Sequence, residues 1–95
     1  MLIGSLRFEF RLHGVNSLKE KRSISSRLKQ KLRNKFNVAV SEVEHLESLN
    51  NLVLVLVTVA NEQRKVESRL SKASAMLEAI STEEVFDISM EIFGA

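Results

Sequence analysis

Residues 16 to 36, NSLKEKRSISSRLKQKLRNKF, carry eight lysines and arginines against the single acid Glu20, a net charge of +7 in a chain whose formal charge is only +2. The rest of the chain therefore sums to −5, so the basicity is local. Cations three and four residues apart suit contact with a row of phosphates, because that spacing aligns them along one side of a helix. Positions 19, 22, 26, 29 and 33 line up in this way opposite an apolar stripe of Ile24, Leu28 and Leu32. Lys19, Arg22, Lys29 and Arg33 then form a solvent-facing ridge, interrupted by Ser26 and flanked by Arg27 and Lys31. At 1.5 Å per residue the ridge is roughly 21 Å long. Lys21 and Lys35 point toward the stripe, where their methylenes are expected to cover apolar surface while the ammonium groups reach out to water.

Other reactive side chains are sparse. His13 and His45 are the only histidines, there is no cysteine, and neither His-x-His nor His-Glu-x-x-His spacing occurs, so no metal site and no cofactor are expected. Glu42 with Glu44, and Glu83 with Glu84, read as solvated edges rather than acid–base pairs. His13-Gly14-Val15 followed by Arg22 faintly echoes the phosphate cradle of an acylphosphatase-type hydrolase, but a single glycine leaves little room for several backbone N–H groups to converge. The expectation is a non-enzymatic protein without a small-molecule substrate.

With 44% hydrophobic and 27% charged residues, the 95 residues fit one globular domain, 1–95. The absence of cysteine fits a reducing compartment, with the cytoplasm as default. The longest apolar run, Leu52 to Val57, falls far short of the ~20 residues of a membrane span, and Arg7 and Glu9 interrupt the N-terminal stretch where an export signal would be apolar. No membrane association is expected.

The elements that must position the cations follow from periodicity. Residues 2 to 12 alternate, with Leu2, Leu6, Phe8, Phe10 and Leu12 on one face of a strand. Ser17 and Glu20 have capping-box spacing, which starts a helix at about Leu18. Strands follow at 37–46 and 52–60. A second helix over 62–80, with Asn61 as N-cap, buries Val66, Leu70, Ala73, Leu77 and Ile80. A strand at 85–93 turns Phe86, Ile88, Met90 and Ile92 inward. The order βαββαβ predicts an α+β, ferredoxin-like fold: a four-stranded antiparallel sheet in the order 4-1-3-2 with both helices on one face.

Ser17-Leu18-Lys19-Glu20-Lys21-Arg22 after a strand and a glycine turn, then Phe36-Asn37-Val38-Ala39-Val40-Ser41-Glu42-Val43, then an aliphatic strand ending Val59-Ala60-Asn61, resembles the YlxP-like family of small bacterial proteins. The resemblance implies a ferredoxin-like domain of unknown function. It also implies a link to ribosome maturation or translation, since the family's genes adjoin those of a transcription elongation factor, an initiation factor and ribosome-binding factor A. The sequence departs from many members in having no tryptophan between strands two and three, where it reads His45-Leu46-Glu47-Ser48-Leu49.

Two partner expectations result. RNA or a ribosomal particle would meet the ridge electrostatically, four phosphate contacts giving a log–log salt slope of roughly −3. Base stacking on the sheet is excluded, because the outward row of strand one is Ile3, Ser5, Arg7, Glu9 and Arg11 and strand three has no aromatic residue. Helix two, with Arg64, Lys65, Arg69 and Lys72 against Glu62, Glu67 and Glu78, shows the mixed signs that solubility alone produces. The competing reading is a scaffold that binds an acidic protein through helix one. Strand three is aliphatic on both parities, so one row stays on the open sheet face, and Val53, Val55 and Val57 or Leu54 and Leu56 are expected to form a homodimer interface there. Arg7 and Arg11 on that face are expected to pair with Asp87 and Glu91.

Overall fold

Alternation of apolar and polar residues makes the first strand, β1 (Leu2–Arg11). The computed structural model, which describes residues 1–95, follows it with α1 (Leu18–Lys35), β2 (Ala39–Glu44), β3 (Asn51–Ala60), α2 (Gln63–Ile80) and β4 (Glu84–Gly94). The strands form one antiparallel sheet in the order β2-β3-β1-β4, which is the expected ferredoxin-like order read from the other edge.

Register decides what each face carries. Leu6, Phe8 and Phe10 of β1 stand opposite Leu56, Leu54 and Leu52 of β3. With Leu28 and Leu32 of α1 and Val66, Leu70, Ala73 and Leu77 of α2 they make a single core, in which the Phe8 and Phe10 rings stack at 5.1 Å. Each of these leucine, valine and phenylalanine side chains, taken fully out of water, contributes about 1.5–3 kcal/mol. The leucine row of β3 therefore faces the helices and the valine row faces outward. This corrects part of the expected dimer interface: Leu54 and Leu56 are 0% exposed beneath the helix layer, and Val53, although on the open face, is also 0% exposed between its cross-strand partners Glu9 and Glu44. Only Val55, Val57 and Val59 of that row reach the surface.

In β4 the parity changes at a bulge. Glu9 pairs with Asp87, but Phe10 pairs with Val85, so Phe86 is the extra residue. Val85 packs against the core in its place, while Phe86 is exposed with the Arg11 guanidinium 4.3 Å above its ring. Ile88 and Met90 do share the helix-side parity of Phe8 and Leu6, yet both stay exposed because β4 is the sheet edge.

The helix starts also differ in detail. Ser17 Oγ accepts the Glu20 amide at 3.1 Å, but the Glu20 carboxylate accepts the amide of Asn16, at 3.0 Å, one residue before the reciprocal bond of a capping box. Helix α2 is capped at Glu62 with no side-chain bond, and Asn61 instead accepts from Lys65 Nζ at 3.4 Å. Where α2 crosses β1, a Cβ on Gly4 would collide with Val66 Cγ1 and lie 2.8 Å from Leu70 Cδ1, so a glycine is what permits this close approach.

Lys21 overturns its expected role. It is 1% exposed, and its ammonium does not reach water. Nζ donates to the carbonyls of His45 at 2.5 Å and Ser48 at 2.8 Å and forms an ion pair with the Glu42 carboxylate at 3.1 Å. The lysine thus ties α1 to the β2–β3 connection, whose His45 takes a left-handed φ of 55°.

Candidate nucleic-acid interface

The buried positions of α1 are Lys21, Ser25, Leu28 and Leu32, with Ile24 half-buried. At 100° per residue, Lys19, Arg22, Lys29 and Arg33 stand roughly 105° from the centre of that stripe. The ridge therefore runs along a flank of α1 and not along the side opposite the stripe. That flank overhangs the edge strand β2, since Arg33 Nη2 donates to the Val40 carbonyl at 2.7 Å. Lys29, next to it around the helix, is half-buried, whereas Lys19 and Arg22 are exposed.

Arg27 and Lys31 fall on the other flank, toward α2. Arg27 Nη2 lies 3.3 and 3.4 Å from the two carboxylate oxygens of Glu83, which satisfies its charge locally. Lys31 is exposed. No carboxylate forms an ion pair with Lys19, Arg22, Lys29, Lys31 or Arg33. Five lysines and arginines that share one helix without counter-charges repel one another and raise the local positive potential.

The charges of α2 sort in space in a way their order along the chain conceals. Lys65, Arg69 and Lys72 fall within an arc of roughly 60°, and Glu67 and Glu78 lie about 160° away on the far flank. The mixture expected of helix two is thus a separation into a basic and an acidic flank. Stepping α2 through 100° per residue, as for α1, is the signal that reveals these residues.

The remaining candidates are engaged in structural pairs. On the open sheet face Arg7 meets Glu44 through two hydrogen bonds of 3.0 and 3.1 Å, Glu9 at 3.0 Å and Asp87 at 3.6 Å. Hydrogen bonding to Glu44 and then Glu9 raises the Arg7 pKa against a small desolvation penalty, and the same bond to Arg7 holds the Glu44 carboxyl below its ordinary range. Surrounded by three carboxylates, Arg7 is not a phosphate ligand. Glu91 stands opposite Ser5 and pairs with neither arginine, while Arg11 stacks on Phe86, so only the Arg7–Asp87 half of the expected pairing forms.

His13 Nε2 lies 2.9 Å from Glu84, and no group of three or more His, Cys, Asp or Glu residues is disposed to hold a metal ion. In the turn that echoes a phosphate cradle, the Asn16 amide is bonded to the Glu20 carboxylate, which puts negative charge where an anion would sit. No helix is long and apolar enough to cross a membrane.

A family model described as Protein of unknown function (DUF503) matches residues 3–90. A Bacillus subtilis (strain 168) protein described as Uncharacterized protein YlxP is 27% identical over 78 residues, covering 82% of this chain and 85% of its own. Among solved structures, SnoaB, a cofactor-independent oxygenase from Streptomyces nogalater, superposes with a TM-score of 0.53 at 14% identity over 100% of this chain and 94% of that one. A dimeric ferredoxin-like protein of unknown function from Thermobifida fusca does so with a TM-score of 0.50 at 15% identity, over 100% and 92%. At these identities the two structures share the fold.

Proposed function

The chain belongs to the family described as Protein of unknown function (DUF503), and from its surface we propose that it is a non-enzymatic cytoplasmic factor that binds RNA, free or in a ribosomal particle, through α1. The observation that carries this reading is the row Lys19, Arg22, Lys29 and Arg33 on one flank of the helix, none of them in an ion pair. Arg33 donates one N–H to Val40 and keeps its other donors for a phosphate. Arg27 contributes less because Glu83 holds it. Lys31 supports binding from the other flank. The contacts are electrostatic and indifferent to base sequence.

A salt titration of binding to bulk RNA tests the reading. Wild type is expected to give a log–log slope of roughly −3 for four contacts. Replacing Lys19, Arg22, Lys29 and Arg33 by Ala should make the slope shallower by roughly 3 and weaken binding at every salt concentration; unchanged values would remove α1 from the interface. Polyglutamate binding as strongly as RNA would favour an acidic protein as the partner.

We also propose that the open sheet face joins two copies of the chain. Val57 and Val59, 37% and 52% exposed, adjoin Ile3 and, across it, Phe93, so one end of this face is apolar while the Arg7 network occupies the other. The Thermobifida fusca protein of the same fold is described as dimeric, which fits this assembly. Such a dimer leaves both helix layers, and hence both basic flanks, directed outward.

A further inference from the structure

We infer that the trough along α2, closed on one side by the C-terminal end of α1, is a binding site for a single-stranded stretch of RNA, with Phe36 as the surface on which a base stacks. The inference rests on the RNA reading above and adds to it a second site with a different selectivity. Two adjoining hollows share Phe36 and Lys72 and form the trough, with volumes of about 610 and 390 Å³. The larger is lined by Arg64, Lys65, Arg69 and Lys72 against one acid, Glu62, a local net charge of +3. None of these four cations is in an ion pair with a carboxylate. Arg69 is braced from behind by its bonds to Thr58 Oγ1 and the Val59 carbonyl, at 2.5 and 3.2 Å. Lys35 enters the smaller hollow from α1, where Met76 and two alanines make the remaining wall apolar.

This combination of positive rim and apolar floor matches a nucleotide, whose phosphate is anionic and whose base is flat and weakly polar. Phe36 is half-buried, lines both hollows, and has the Lys35 ammonium 6.0 Å from its ring, close to the limit for a cation–π contact. A base drawn in by Lys35 and Lys72 meets that ring. Stacking requires an unpaired base, because in a duplex both base faces are already covered. The trough therefore selects single strands, whereas the α1 flank contacts phosphates of either form. Glu62 is the one group that opposes the ligand, and its side chain makes no capping bond.

Binding of a labelled oligouridylate and of a duplex of equal length is measured as salt is varied, with variants of both surfaces. Phe36→Leu, which keeps an apolar side chain at this half-buried position, is expected to weaken single-strand binding about tenfold while leaving duplex binding and the salt slope unchanged. Arg64→Ala with Lys72→Ala should make the single-strand slope shallower by roughly 1.4, from two lost phosphate contacts. Glu62→Gln should tighten single-strand binding severalfold, an effect that a damaged fold does not produce. If these variants bind the single strand as wild type does while the α1 variant loses both ligands, the trough is overturned and the α1 reading stands. If wild type binds neither ligand, both fall.

Discussion

Lys21 is the most deeply buried charged residue of the fold. A lysine that is 1% exposed is costly to bury, and it is tolerated because two carbonyls accept from its ammonium and the Glu42 carboxylate balances its charge. Lys21→Met should therefore cost about 3–5 kcal/mol, since it strands a largely buried carboxylate and two carbonyls. Adding Glu42→Gln should recover part of that loss. Urea unfolding of the single and double variants measures both, and a loss below about 1 kcal/mol in the single variant would show the ammonium to be dispensable. The helical wheel placed Lys21 on the inner side of α1. Its partners come from residues 42, 45 and 48, which only the turn of the chain into β2 and β3 brings within reach.

The elements follow the periodicity of their residues, and the departures have local causes. The β1 alternation and the inner set of α2 form as expected, with Ile80 half-buried at the helix end. The second strand contracts from 37–46 to Ala39–Glu44, its pairing with β3 shifting at Val43 before the loop that meets Lys21. In β4 a bulge at Phe86 exchanges the inward residue, and nothing in the alternation of VFDISMEIF announces an inserted residue. Gly4 is the quietest of these determinants. A glycine within an alternating strand marks close backbone approach, and here it admits Val66 and Leu70 of α2. Gly4→Ala is expected to destabilise the protein by about 1–3 kcal/mol through overpacking. Thermal melting should show this as a fall in Tm of roughly 4–8 °C per kcal/mol. An unchanged Tm would mean that α2 moves away from the sheet without cost.

For the whole molecule the two faces of the sheet differ in what they expose. Helices cover one face and present cations along a flank of α1 and in the trough beside α2, while the other face has an apolar end beside a neutralised arginine. If two copies meet through the apolar end, light scattering should report twice the chain mass of 10.8 kDa. Val57→Lys with Val59→Lys should then return a monomer, because four like charges would be buried face to face. A wild-type monomer at high concentration would count against the assembly. RNA binding by the monomeric variant should persist, since the basic flanks lie on the opposite layer.

What could be known before folding is whatever depends on residues near one another in the chain. Alternation along β1, the i, i+4 stripe of α1 and the local excess of lysine and arginine are all properties of short windows, and from them came the ferredoxin-like order and the basic helix. Distant residues are brought together only by tertiary structure, which therefore decided everything that needed two elements at once. It turned the leucine row of β3 inward and enclosed the Lys21 ammonium. It placed Arg27 beside Glu83, and gathered Phe36 with Lys72 in one trough. The net charge of a helix is a sum along the chain, whereas the field a ligand meets depends on where each charge stands around the helix and on which neighbour neutralises it.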